Sequence, residues 1–250
     1  MTTANYPSLA NKTVVITGGG SGIGAEIVRG FVAQKARVFF LDIAEADSRA
    51  LVAELGEAAQ FIKCDLKDLP ALKAALASVE EKAGPVSVLV NNAANDDRHS
   101  FEKVTPAYWE DRMNVNLRHY FFAAQALTDG MRRAGGGAVI NIGSVSWHLA
   151  LPDLVLYETA KAAIEGLTRA LARDLGEANI RVTSVIPGAV RTPRQMALWH
   201  TPDEEQKIVT QQCLKGRVEP SDVAAMVQFL ASDDARFCTA HSYWIDAGYR

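Results

Sequence analysis

The stretch from Lys12 to Lys35 constrains the fold more than any other. The apolar run Thr13-Val14-Val15-Ile16-Thr17 leads directly into Gly18-Gly19-Gly20-Ser21-Gly22-Ile23-Gly24 and then into an amphipathic pattern. Ile27, Val28 and Phe31 recur at helical spacing, with Glu26, Arg29 and Lys35 on the other face. A glycine-rich turn between a strand and a helix lets the backbone approach a pyrophosphate, which then rests on the N–H groups and positive dipole end of the helix. Strand, glycines and helix in this order point to a dinucleotide. Gly18, Ser21, Gly22, Ile23 and Gly24 are its expected contacts.

A second apolar run, Arg37-Val38-Phe39-Phe40-Leu41, ends in Asp42, eighteen residues after Gly24. A carboxylate there can accept hydrogen bonds from both ribose hydroxyls of an adenosine and repels a 2′-phosphate, so the expected cofactor is NAD. Beyond Asp42 apolar strands alternate with helical patterns. The expected class is α/β: a single-domain Rossmann-type doubly wound parallel sheet over residues 1–250, with about seven strands and helices on both faces. Polar residues collect where strands stop: Asp65 after Gln60 to Cys64, Asn91 after Val86 to Val90, Ser144 after Ala138 to Ile142, and Pro187 after Arg181 to Ile186. In open α/β sheets those carboxyl ends line the ligand crevice. A last strand is expected around Tyr243 to Ile245. Between Ala189 and Lys215 the pattern turns irregular, with Pro193, Trp199 and Pro202 among charges, and reads as a mobile flap over the active site, near 189–215.

Tyr157 and Lys161 stand four residues apart, which places a phenol and an ammonium on one face of a helix. A phenol beside a cation ionises more easily. Tyrosine starts from a pKa of roughly 10, so proton transfer near neutral pH requires a drop of about 3 units, or roughly 4 kcal/mol. Alone, the pattern also describes an ordinary surface pair. Its weight comes from the dinucleotide signature upstream.

Composition excludes several classes. With 250 residues and 48% hydrophobic content the chain can bury a large core, and a formal charge of −3 without basic clusters argues against nucleic acid. No apolar run approaches the roughly 18 residues a membrane span requires, and Met1 to Ala10 carries no secretory pattern, so a cytoplasmic protein without membrane partners is expected. Cys64, Cys213 and Cys238 are far apart and expected to be reduced thiols. The five histidines lack H-x-x-x-H spacing, and no catalytic metal is expected.

Taken together, Thr17-Gly18-x-x-x-Gly22-Ile23-Gly24, Asn91-Asn92-Ala93, Ser144, Tyr157-x-x-x-Lys161 and Pro187-Gly188 resemble, in order and over nearly the whole chain, the short-chain dehydrogenases/reductases. The resemblance implies Tyr157 as general acid/base, Ser144 as hydrogen-bond partner of the substrate oxygen, and Lys161 as the group that depresses the tyrosine pKa and holds the nicotinamide ribose. It implies Asn116 as fourth catalytic member, holding a water in the proton path, with Asn114 as close rival. By the same matching Asp65 and Leu66 meet the adenine, Asn91 the adenosine side, and Ile186, Pro187 and Thr192 the nicotinamide. Ser21 agrees with NAD, because NADP-preferring relatives often carry a basic residue there. One departure is Ala94, where the family usually has glycine. If that backbone needs a positive φ, alanine costs on the order of 1 kcal/mol. The long alanine-rich helix and the likeness suggest a homotetramer.

Within the family, Asn95-to-His99, Asn114-to-His119, Ser144-to-His148, Thr201-Pro202-Asp203 and the segment ending in Trp244-Ile245-Asp246-Ala247-Gly248-Tyr249-Arg250 are similar to NAD-dependent sugar 1-dehydrogenases. This implies oxidation of a cyclic aldose at C1 to its lactone, D-xylose first, with L-arabinose, D-galactose and L-fucose as other candidates. The expected substrate residues are Asn95, Ser144, Ser146, Trp147, His148, Tyr157 and Trp199, the polar ones for hydroxyls and the tryptophans for stacking on a C–H face. A 3-oxoacyl or ketone reductase of the same fold and a non-catalytic NAD-sensing protein are the competing readings. The intact set Asn116, Ser144, Tyr157 and Lys161 argues against the sensor.

Overall fold

The computed structural model describes residues 4–249. In chain order the elements are β1 (Thr13–Thr17), α1 (Gly22–Ala33), β2 (Arg37–Asp42), α2 (Glu45–Leu55), β3 (Ala59–Lys63), α3 (Leu69–Ala83) and β4 (Val88–Asn91). There follow α4 (Pro106–Met113), α5 (His119–Arg133), β5 (Gly137–Ile142), α6 (Ser146–Leu149), α7 (Val155–Leu175) and β6 (Ile180–Pro187). The chain closes with α8 (Pro193–Leu198), α9 (Pro202–Gln211), α10 (Pro220–Ala231) and β7 (Ser242–Ile245). The sheet has seven strands in the order β3-β2-β1-β4-β5-β6-β7, with every pairing parallel.

Strand periodicity explains how both faces are covered. Along β1, Val14 and Ile16 join a core with Ile27 and Phe31 of α1 and Val223 and Val227 of α10. Val15, between them, points the other way and joins Leu72 and Leu76 of α3, Leu127 of α5 and Leu175 of α7. All five β1 residues are buried, as a parallel strand between two helix layers requires. The chain order reverses between β1 and β4, and a crevice opens there at the carboxyl ends of the strands.

The segment expected to be irregular is helical. Thr192 Oγ1 accepts from the Gln195 N–H at 3.2 Å and Thr201 Oγ1 from the Glu204 N–H at 3.3 Å, so each threonine caps a helix whose first residue is proline. Proline at that position loses no hydrogen bond and has the φ a helix needs. Between α4 and α5 the helix widens into a π turn over Asn114–Arg118. Among the described residues no helix is long and apolar enough to cross a membrane.

Candidate active site

A cavity of about 620 Å³ lies across the carboxyl ends of the strands. Asp42, Asp65 and Leu66 line it toward β2 and β3; Ser144, Tyr157, Lys161 and Pro187 line it toward β5 and β6.

The glycine turn is shaped for close approach by a ligand. Gly18 has φ +68°, and a Cβ there would lie 2.7 Å from Ala93 Cα. At Gly24 a Cβ would lie 1.9 Å from the Gly18 carbonyl oxygen, so the turn closes only with hydrogen at that position. Ser21, Gly22, Ile23 and Gly24 line the cavity at the start of α1, where free N–H groups and the helix dipole favour an anion. Asp42 is fixed by the backbone: its Oδ2 accepts from Gly20 N at 2.8 Å and its Oδ1 from Ala44 N at 2.9 Å. Among the described residues no ion pair neutralises it. Turn, helix terminus and unpaired acid fit a dinucleotide with a free ribose diol. Thr192, the α8 cap, stands on the far side of the turn, 3.5 Å from the position of a Cβ on Gly22.

Two expected cofactor contacts have side chains buried behind the cavity wall. Asn91 is fully buried and outside the cavity wall; its Nδ2 donates to the Tyr120 carbonyl and to Asn141 Oδ1, because strand alternation turns it into the sheet. Its neighbour Asn92 lines the cavity and braces the turn, donating to the carbonyls of Thr17 and Gly18 at 3.1 and 2.9 Å. Ile186 is likewise fully buried, behind Gly143. Ala94 is not among the residues with positive φ, so the missing family glycine carries no backbone strain.

Tyr157, on the first turns of α7, faces the cavity, and Lys161 lies one turn deeper, 5.5 Å from the phenol ring centroid. Lys161 is 1% exposed; its Nζ donates to the Ile142 carbonyl at 2.7 Å and to Tyr120 Oη at 3.1 Å. Burial dominates this pair and runs against the expected effect of the ammonium. It pushes Tyr157 well above the usual phenol range, with the Asp96 charge adding to the rise and hydrogen bonding with Ser144 opposing it. Burial also pushes Lys161 down to about 7, against a smaller opposing pull from Asp96. Ser144 Oγ donates to Ser146 Oγ at 2.9 Å and accepts from Ser146 N at 3.1 Å. Asn116 is fully buried and outside the cavity wall; its Oδ1 accepts from Asn95 N at 2.8 Å and its Nδ2 donates to the Asn95 carbonyl at 3.0 Å. It clamps the loop after β4 from the π turn.

The lysine has a consequence for stability. Its folded pKa is depressed, so between about 7 and the ordinary value of 10.5 the unfolded chain binds more protons and stability rises with pH. Cofactor-free protein is therefore expected to gain melting temperature between about pH 7 and pH 9, and Lys161→Met to flatten that gain. Parallel melting curves of both proteins measure it; equal pH dependence would show that Lys161 is not the group responsible.

Of the residues expected to meet the substrate, Asn95, Ser146 and Trp199 line the cavity, and the Arg98 guanidinium stands 5.1 Å over the Trp199 ring. Trp147 and His148 do not. Successive residues of a helical turn point in different directions, so Ser146 at the start of α6 faces the cavity and the next two turn away. Trp147 Nε1 donates to Glu165 Oε1 at 2.9 Å, His148 Nε2 lies 3.0 Å from the same oxygen, and the His148 ring packs 4.3 Å from Trp244. Both belong to the α7 and β7 side. The cavity also takes Arg194, Gln195, His200 and Tyr249, which the sequence reading did not single out. Arg194 and Gln195 had a legible signal in the Thr192-Pro193 start of α8. No group of three His, Cys, Asp or Glu among the described residues could hold a metal.

The fold and this site define a short-chain dehydrogenase/reductase. A family model described as Enoyl-(Acyl carrier protein) reductase matches residues 18–250. The chain belongs to the short-chain dehydrogenase/reductase family. It is 61% identical, over 100% of both chains, to D-xylose 1-dehydrogenase of Caulobacter vibrioides. It is 44% identical to the probable galactose dehydrogenase GalD of Rhizobium meliloti, over 98% of this chain and 97% of that one. A blue fluorescent protein from a metagenomic library, solved in complex with NADPH, superposes with a TM-score of 0.88 at 36% identity, covering 97% of this chain and 99% of that one.

Proposed function

We propose that this chain is an NAD-dependent sugar dehydrogenase that oxidises a cyclic aldose, D-xylose first, at C1 to the lactone. The observation that carries the reading is end-to-end identity of 61% to a D-xylose 1-dehydrogenase, with a probable galactose dehydrogenase at 44%. The reacting end of the cavity agrees, because Asn95, Asp96, Ser144, Ser146, Tyr157 and Gln195 offer the donors and acceptors a polyol needs. An apolar substrate would leave them unpaired.

In this reading the bound nicotinamide supplies the hydride acceptor and a positive charge beside the phenol. Tyr157, once ionised, takes the proton of the anomeric hydroxyl, so that the hydride leaves C1 as the C=O bond forms. Ser144 holds the same oxygen. Lys161, fixed by Ile142 and Tyr120, stands one turn behind the phenol, where its protonated form adds positive charge and its Nζ would hold the nicotinamide ribose. Asn116 positions Asn95 and thereby the loop that faces the sugar. Holding the sugar in one orientation, as Ser144 and the Asn95 loop would, contributes a further large share of the acceleration.

The preference for NAD rests on Asp42. Its carboxylate is held at the turn by Gly20 and Ala44 without a cationic partner among the described residues, an arrangement that welcomes two ribose hydroxyls and repels a phosphate. NAD⁺ is expected to exceed NADP⁺ by at least tenfold in kcat/KM, about 1.4 kcal/mol, and Asp42→Ala to narrow the gap. Steady-state kinetics with both cofactors check this, and equal use by the wild type would contradict it. Ranking by kcat/KM across D-xylose, L-arabinose, D-galactose and L-fucose tests the sugar. D-xylose should lead by about tenfold or more, since one unsatisfied buried polar group costs about 1 to 3 kcal/mol; a hexose in first place would reassign the substrate.

The same reading takes the chain as one catalytic domain, cytoplasmic, with no nucleic-acid or membrane partner. The unpaired Cys64, Cys213 and Cys238 and the charge of −3 support it. It also takes the enzyme as a homotetramer. Open space at Gly166 on α7 and the exposed Phe121 and Val155 support that assembly.

A further inference from the structure

The loop after β4 carries a carboxylate that the proton and hydride transfers leave unused. Asp96 lines the cavity, with its side chain 19% exposed. Two donors from α8 hold it: Gln195 Nε2 donates to Oδ2 at 2.6 Å, and Arg194 Nε donates to Oδ1 at 3.2 Å. Arg194 is shared, because its Nη2 also donates to Asp97 Oδ1 at 2.6 Å. An ionised carboxylate offers about four acceptor positions, so these bonds leave room on each oxygen. The group is thus anchored, partly desolvated and able to take two more hydrogen bonds. Two adjacent hydroxyls on a ring present that pair of donors. A ketone or an aliphatic alcohol does not, and would leave the remaining acceptor positions of a partly desolvated carboxylate unfilled.

We propose that Asp96 is a specificity residue that accepts hydrogen bonds from ring hydroxyls beside the oxidised carbon, held for that task by Gln195 and Arg194. The inference rests on the reading of the substrate as an aldose and names the group that would recognise it. Asp96 also acts on the reacting groups through its charge, which raises the proton affinity of both Tyr157 and Lys161. The charged and titratable groups around it are those two on α7, Arg194 on α8, and Asp97 and Arg98 on its own loop.

The test is Asp96→Asn, which keeps the volume and removes the charge, assayed with NAD⁺ on D-xylose and on its 2-deoxy analogue across pH. We expect kcat/KM for D-xylose to fall by at least about tenfold and that for the 2-deoxy analogue by less than about threefold, with the NAD⁺ dissociation constant unchanged. The acid limb of the kcat profile should move to lower pH, because the charge that raised Tyr157 is gone. Gln195→Met keeps the carboxylate and removes one support; it should erode the preference for D-xylose over the analogue and leave the acid limb in place. Equal losses on both sugars, or an unmoved acid limb in Asp96→Asn, would overturn the proposal and reduce Asp96 to a loop anchor. If Asp96→Asn does not fold, an unchanged sugar preference in Gln195→Met overturns it. A wild-type enzyme that oxidises no aldose sinks the functional reading and this proposal with it, whereas aldose oxidation indifferent to Asp96 sinks the proposal alone.

Discussion

Tyr157→Phe is expected to lose turnover by about 10² to 10⁴, equivalent to about 3 to 5 kcal/mol of barrier, while binding NAD⁺ as the wild type does. Phenylalanine keeps the ring at the cavity wall and removes the phenol oxygen to which the proposed function assigns the substrate proton. Burial already holds that phenol well above its usual range, and the nearby Asp96 charge raises it further. Ionisation therefore depends on positive charge gathered at the site, and wild-type turnover should climb with pH as the phenolate fraction grows. Single-turnover rates together with NAD⁺ titration separate chemistry from binding. A variant within tenfold of the wild type would remove Tyr157 from the proton transfer.

Gly24→Ala is expected to cost more than tenfold in cofactor affinity, over about 1.4 kcal/mol. The new methyl would sit 1.9 Å from the Gly18 carbonyl oxygen and 2.7 Å from Asn92 Nδ2. The first contact is with backbone, so it is relieved only by opening the turn, and opening it withdraws the N–H groups at the start of α1. Gly176→Ala is the control: a Cβ there meets nothing within 4 Å. Calorimetric titration of NAD⁺ into both variants measures the difference. Unaltered affinity in Gly24→Ala would mean that this turn does not cradle the pyrophosphate.

The parts of the molecule legible in the sequence are those where one physical requirement governs a run of residues. Parallel strands buried on both faces must be continuously apolar, so β1 and β2 stand out. A backbone that approaches phosphate must lack side chains, so Gly18 to Gly24 stand out as well. Tyr157 and Lys161 stand out because their spacing maps onto one helix face, and Ser144 as a polar residue at a strand end, its role being implied by the family resemblance. What escaped depended on direction rather than on type. Asn91 and Asn92 are the same residue twice, and strand alternation alone decides that the second meets the cavity. Ser146, Trp147 and His148 look equally suited to a sugar until a single turn of helix sends two of them toward Glu165. Pro193 and Pro202 suggested a break, whereas a capping threonine before each makes them helix starts. The sign of the Tyr157 and Lys161 shifts also lay out of reach, because burial depends on the whole fold and outweighs the neighbouring charge.

The central claim is that this site moves a hydride from C1 of an aldose to NAD⁺, and D-xylose deuterated at C1 tests it most directly. Incubated with the enzyme and NAD⁺, the labelled sugar should yield reduced cofactor that carries the deuterium, together with unlabelled D-xylonolactone, as read by mass spectrometry. Unlabelled NADH, or no reduction by any aldose alongside rapid turnover of a secondary alcohol or an oxoacyl ester, would contradict it.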